Sequence, residues 1–329
     1  MPLFVHMGHR VLWSALACVL MALPASGCRE PQVVASRTPS LRIGAGSLGG
    51  DFSVMAGALA QTLAGQPPRY KVDIVSTPGG VGSLESLQRG ESDCGFSYAN
   101  VAYEAYAGRL PNEPGPLKRL RGVALVQISP VYLLVKRQSV ITRVNDVRGK
   151  TVAFGTRDTA SYGAALLILN AFGVDVKSIT VVDEAFATSF RGLREGGIDA
   201  VFLVAAQPSG PVARSLREGT KLLPLQGPEI DLLRERYPFL HPSLIPADTY
   251  PEQHQAIRTV GIESLLLCRE DVPAADVRHV SEAWMTTFAT LAQKRQLTDG
   301  VSASLASATP IPLHAGASDY YRSRQVLQR

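Results

Sequence analysis

Along residues 41–63, LRIGAGSLGGDFSVMAGALAQTL, a short apolar run gives way to glycines and then to apolar residues at helical spacing. The pattern predicts a strand over 41–43, a glycine-rich turn from Gly44 to Gly50 and an amphipathic helix from about Asp51. Val54, Leu59 and Leu63, with small Ala56, Ala58 and Ala60 between them, form the face expected to lie on a sheet. Asp51 stands where a carboxylate caps orphan amides and meets the positive end of the helix dipole. Bare backbone N–H groups in such a turn can hold an anion.

The alternation continues along the chain. Residues 71–76 are a β-rich run, Pro78-Gly79-Gly80 a turn, and 81–88 a helical stretch ended by Gly90. Residues 93–96 read as a strand and 101–107 as a helix. After a Pro/Gly-rich break at 110–116, two apolar runs, 122–128 and 131–135, are separated by Ser129-Pro130. The next unit repeats the pattern, with a strand at 151–154, a turn at 155–161 and a helix at 162–172. Strands at 179–182 and 200–204 flank a helix at 190–195; segments 220–225 and 229–237 and a Pro-broken loop, 240–251, complete that half. A further apolar run, 260–268, precedes a long amphipathic helix at 274–293, and 311–321 ends in an aromatic-rich helix.

Strand–helix alternation of this kind predicts an α/β fold with a largely parallel sheet. Binding residues in such sheets gather at the carboxyl ends of strands, which here are 45–50, 77–82 and 97–100. Extended segments near 128–131 and 260–268 join the two units, so two lobes with a hinge and an interlobe cleft are expected. Residues 41–128 and 268–329 would form lobe 1, and 129–267 lobe 2.

The first 28 residues stand apart. His6, His9 and Arg10 precede an apolar run, 11–23, and then Pro-Ala-Ser-Gly-Cys, the layout of a secretory signal. The run is too short to span a bilayer comfortably. Ala25-Ser26-Gly27-Cys28 resembles a bacterial lipoprotein box, with Ala25 where leucine is usual; Cys28 would then be acylated, while ordinary cleavage near Gly27 is the competing reading. Residues 29–40, with Pro31 and Pro39, would be a flexible tether. The expected location is therefore periplasmic or on the outer face of a cell membrane, with membrane attachment only through the lipid.

Composition narrows the classes. A hydrophobic fraction of 46% and a charged fraction of 19% describe an ordinary globular chain. The net charge of +5 falls to about +4 without residues 1–27, which hold one Arg and no acid. The basic residues are scattered, which argues against a nucleic-acid partner. Outside the first 28 residues the four His lie far apart, without metal-ligand spacing. Cys94 and Cys268 each sit in an apolar segment and, lacking any spacing pattern, read as buried free thiols in preference to a pair.

Nothing demands chemistry. Gly44-x-Gly46-x-x-Gly49 satisfies a dinucleotide fingerprint, but the acidic residue at the end of the second strand is missing, with Ser76-Thr77 in its place. Gly149-Lys150-Thr151 lacks a preceding glycine-rich loop and is a turn. Ser47 follows Ala45-Gly46, so no nucleophile elbow forms, and His241, His254, His279 and His314 have no identifiable catalytic partner. No catalytic residue, cofactor or metal is expected. Binding remains. The first-lobe loops offer Ser47, Thr77, Ser83, Ser97, Tyr98 and Asn100, and the second lobe offers 155–162, including Thr156, Arg157 and Thr159. Phe52 and Tyr162 would be apolar walls, suiting a small polar or carboxylated solute; equally, these are the residue types of ordinary turns and caps.

The landmarks IGAGSLGGDF, STPGGVGSLESLQRGESDCGFSYANVAYEAYAG, LRGVALVQISPVYLLVKRQSVITRVNDVRGKTVAFGT, LREGGIDAVFLVAAQPSGPV and IPLHAGASDYYR occur in that order. Together they resemble the TAXI family, the extracytoplasmic solute-binding subunits of TRAP transporters, over residues 41–321. The resemblance implies a type II periplasmic-binding-protein fold that closes on a carboxylate-type solute and delivers it to membrane permease subunits driven by an ion gradient. By position it implies that Ser47, Gly49 and Gly50, with Gly80 and Ser83, form the first-lobe floor and that Ser97 and Asn100 line its third side. Thr156, Arg157, Thr159, Tyr162 and Gln207 would close over the ligand, with Arg157 the candidate to grip a carboxylate bidentately.

Three departures bear on the ligand. Asp51-Phe52-Ser53 leaves one ring where relatives usually have an aromatic pair, and Tyr98-Ala99-Asn100 replaces a Gln-Ser-Asp stretch. The second-lobe loop carries Arg157 and Asp158, and Asp158 facing the cleft would repel a carboxylate unless a cation offset it. These leave open the alternative of an exported sensory or regulatory binding protein acting through another membrane partner.

Overall fold

The computed structural model describes residues 38–46, 51–110, 113–293 and 305–326. The proposed signal and lipoprotein box with Cys28, nearly all of the tether, and Ser47, Gly49 and Gly50 lie outside the described residues.

The first lobe begins with β1 (Ser40–Gly44), α1 (Asp51–Gly65), β2 (Lys71–Val75), α2 (Gly79–Arg89), β3 (Cys94–Tyr98) and α3 (Ala99–Ala107). A 17-residue strand, β4 (Leu120–Lys136), leads into the second lobe. There follow β5 (Thr151–Ala153), α4 (Ala160–Ala171), β6 (Thr180–Val182), α5 (Phe186–Glu195), β7 (Ala200–Val204), α6 (Gly210–Arg217), β8 (Thr220–Leu223), α7 (Pro228–Arg236) and β9 (Leu240–Ile245). β10 (Ile257–Arg269) returns to the first lobe, followed by α8 (Ala274–Gln293) and α9 (Ala315–Ser323). Among the described residues the strands follow the order β2-β1-β3-β10-β4-β7-β5-β6, with β8 on β4 and β9 on β10. β1, β2 and β3 pair parallel, as do β5, β6 and β7, while β4 and β10 run antiparallel to their neighbours. This is the mixed α/β, two-lobe architecture, with two long strands passing between the lobes.

The elements follow from burial on both faces of those strands. β4 is buried along nearly its whole length, which explains its almost unbroken apolar run. The expected break at Ser129-Pro130 does not occur. Pro130 stands where β4 changes partner, from β10 up to Pro130 to β7 from Val131, so its missing N–H costs no ladder bond within either pairing. Likewise the expected loop at 240–251 begins as a strand. Among the described residues β9 pairs with β10 alone, and such an edge tolerates Pro242. α6 was not foreseen, and α2 starts at Gly79, inside the expected turn.

On α1 the buried stripe is Phe52, Met55, Ala56, Leu59 and Leu63, and Val54 is 50% exposed. Val54 is one position off the i, i+3, i+4, i+7 stripe, so the helix turns it to solvent. That stripe packs with α8 over β1, β3 and β10, where Trp284 meets the Phe96 ring edge-on at 5.6 Å. α9 closes the same side: Gly316 lies so close to α8 that an added Cβ would fall on the Ala274 carbonyl oxygen.

Cys94 and Cys268 form a disulfide, correcting the expectation of free thiols. β10 returns antiparallel beside β3 in the register that sets Cys268 opposite Cys94, a pairing created by topology across a sequence separation of 174.

Candidate functional site

The helices α1, α2 and α3 start at the carboxyl ends of the parallel first-lobe strands, and α4 and α5 at those of the second lobe. The two sets meet at two places. Asn100, in the first turn of α3, donates through Nδ2 to the carbonyl of Ala160, the first residue of α4, at 3.1 Å. Gly163 makes room for this contact, since a Cβ there would come within 3.2 Å of Asn100 Nδ2. Elsewhere, Asp51 Oδ2, at the start of α1, accepts from the Ala206 N–H beyond β7 at 3.3 Å. Asp51 thus reaches across the cleft, a role that its sequence position as a helix cap did not suggest.

Near Asp51 lies a polar patch, largely on the crossing strands β4 and β10. Ser264 of β10 stands opposite both Tyr98 of β3 and Gln127 of β4. Gln127 Nε2 donates to Ser129 Oγ at 3.1 Å, and the Ser129 hydroxyl lies beside that of Tyr98. Tyr132 and Tyr250 share a hydroxyl–hydroxyl bond of 2.8 Å, and the Tyr250 oxygen also accepts from Ser209 N–H. Burial pushes the Tyr98 and Tyr132 phenols up, and the nearby Asp51 carboxylate adds to both effects. Asp51 is itself raised, by desolvation first, with the Ala206 N–H opposing. Solvent reaches this carboxylate while protein surrounds it, as in a cleft. Sequence reasoning passed over Gln127, Ser129, Tyr132 and Ser264. The signal was present: each polar side chain interrupts a strand buried on both faces.

The expected site residues divide into two groups. Asn100, Arg157, Thr159 and Tyr162 line one groove of about 1080 Å³ between α3 and α4. Arg157 is 60% exposed there; its Nε donates to Asp183 at 2.5 Å and its guanidinium lies 5.4 Å from the Tyr162 ring centre. Thr159 caps α4, donating to the Thr156 carbonyl and accepting from Tyr162 N–H. Gln207 is partly exposed beside Ala206. The others turn inward. Phe52 is buried against Phe96 and Tyr98, and the Ser97 hydroxyl donates to the Gly80 carbonyl at 2.9 Å.

Ser83 serves the glycine turn. Its hydroxyl bonds Thr77 Oγ1 at 2.7 Å, and Thr77 Oγ1 accepts from Gly46 N–H at 3.1 Å. Thr77→Val keeps the shape and leaves the Gly46 N–H unmatched, while Ser83 keeps its bond to the Gly79 carbonyl. The variant should lose about 1–2 kcal/mol of unfolding free energy, read from its urea midpoint.

A description of the NMT1-like family matches residues 43–324. The chain belongs to the NMT1-like family. In solved structures this NMT1-like chain is similar to MatC from Rhodopseudomonas palustris, a structure with bound malate. The TM-score is 0.54 at 17% identity, over 88% of this chain and 99% of that one. It is also similar to the periplasmic aliphatic sulphonate binding protein SsuA from Escherichia coli, with TM-score 0.53 and 17% identity over 89% and 95% of the two chains. SsuA from Xanthomonas axonopodis pv. citri, bound to MOPS, gives TM-score 0.50 and 19% identity over 90% and 96%. At these identities the likeness is one of fold, that of two-lobe periplasmic solute-binding proteins.

Proposed function

We propose that this NMT1-like protein is the extracytoplasmic solute-binding receptor of a TRAP-type secondary transporter, of the TAXI kind. It captures a small carboxylated solute by lobe closure and presents the closed form to membrane permease subunits; it has no catalytic role. The observation that carries this reading is the pair of contacts across the cleft, Asn100 to Ala160 and Ala206 to Asp51. Both contacts join residues beside helix starts or strand ends, where a ligand adds contacts that exist only when the lobes meet. A ligand shifts such an equilibrium by its differential affinity for the two states.

Other features support the same reading. Malate, in the MatC structure, and MOPS, in the Xanthomonas axonopodis SsuA structure, both carry an anionic carboxylate or sulfonate, and first turns of helices offer unpaired N–H groups to such groups. The disulfide favours an oxidising compartment, in keeping with export behind residues 1–28 and a lipid on Cys28. Lobe limits at 128/129 and 267/268 belong to this proposal, as does a site that includes Ser47, Gly49 and Gly50.

A thermal-shift screen of the purified protein against carboxylates, sulfonates, sugars and amino acids tests it. A ligand at a hundredfold its dissociation constant should stabilise the fold by about 2.7 kcal/mol. A panel in which no compound raises the melting temperature would sink the receptor reading.

A further inference from the structure

We propose that the solute carries a cationic nitrogen and that Asp51 is the residue that selects it, an inference that rests on the receptor reading above. Asp51 brings an uncompensated carboxylate into the cleft. Its bond to a neighbour across the cleft is the neutral Ala206 N–H, and no basic side chain pairs with it among the described residues. Arg157, the cation nearest in expectation, has its guanidinium on Asp183. A carboxylate held between two lobes in this way favours a ligand that brings positive charge, and it opposes one that is anionic throughout.

The neighbouring groups make the same demand. Phe52 and Tyr98 pack at 4.9 Å beside Asp51, an apolar wall that supplies no positive charge to offset it. Two amide oxygens in the cleft region have no donor. Asn100 Oδ1 belongs to a side chain 4% exposed whose nitrogen is engaged by Ala160, and Gln127 Oε1 to one 1% exposed whose nitrogen is engaged by Ser129. Carboxylate and orphaned amides are all acceptors. Buried acceptors without donors are costly, and these two add no positive charge to offset Asp51. With a carboxylate at the helix starts, the class that fits is a zwitterion such as an amino acid.

The test measures calorimetric affinities of the full chain for amino acids, the matching 2-oxo acids, dicarboxylates and polyamines. Asp51→Asn keeps the shape and the acceptor for Ala206, so its melting temperature in buffer should match that of the parent. The expected result is binding of an amino acid in preference to polyamines, weakened about ten- to hundredfold by Asp51→Asn, with the matching 2-oxo acid binding weakly to both proteins. Equal or tighter binding of the 2-oxo acid or dicarboxylate by the parent would overturn the inference and keep the receptor. An amino acid bound equally by parent and Asp51→Asn would do the same. If nothing in the panel binds, the receptor reading and this inference fall together.

Discussion

Replacing both Cys94 and Cys268 by alanine should cost the fold about 3–5 kcal/mol. The bond closes a loop over a sequence separation of 174, and chain-entropy arguments for a loop of that length give about 5 kcal/mol. The lower end allows for residual structure in the unfolded chain, which already restricts part of that loop. Both cysteines are fully buried between β3 and β10, so the double variant is a cleaner test than a reductant that must reach them. Urea unfolding would show a lower midpoint, and a steeper dependence on urea as the unfolded chain expands. A loss below about 1 kcal/mol would mean that the unfolded ensemble keeps these strands together without the bond.

That disulfide also marks where the sequence stops being legible. Local periodicity revealed α1, α8 and the parallel strands because each pattern is written within one element. The Cys94–Cys268 register depends on β10 returning from the second lobe, and no local spacing encodes it. Pro130 and Pro242 misled for a related reason. A proline is a breaker only where its N–H is needed, and whether it is needed depends on which strand lies alongside. Val54 and Met55 show the limit within a helix, where adjacent apolar residues compete for one stripe.

The site was less legible than the fold. Hydroxyls at strand ends drew notice as ligand donors, yet Ser83 and Ser97 are consumed in holding their own loops. Glu263 illustrates the difficulty from the other side. It lies in the apolar run of β10, 2% exposed, paired with His241 and raised by burial, with one carboxylate oxygen lacking a partner. Interruption of a doubly buried strand by a polar residue is a better signal than a hydroxyl in a turn. A turn hydroxyl has local uses, whereas Gln127 or Glu263 is buried at a cost that needs compensation.

Asn100→Asp should part the lobes. Asn100 is 4% exposed and its nitrogen donates to the Ala160 carbonyl across the cleft. An aspartate there loses that bond, about 1 kcal/mol, and sets a carboxylate against a carbonyl oxygen with little solvent. The desolvation adds about 2–3 kcal/mol, and the positive end of α3 returns about 1 kcal/mol at most. The net is about 2–3 kcal/mol against the closed arrangement, or roughly a 30- to 150-fold shift in the closure equilibrium. Because the contact joins two lobes, the chain can relieve the penalty by opening rather than unfolding. Small-angle scattering of the ligand-free variant should give a larger radius of gyration than the parent, with a melting temperature lowered only slightly. Unchanged scattering together with a loss of the full 2–3 kcal/mol in urea unfolding would place Asn100 in the static framework. Closure would then have to rest on the Asp51 contact alone.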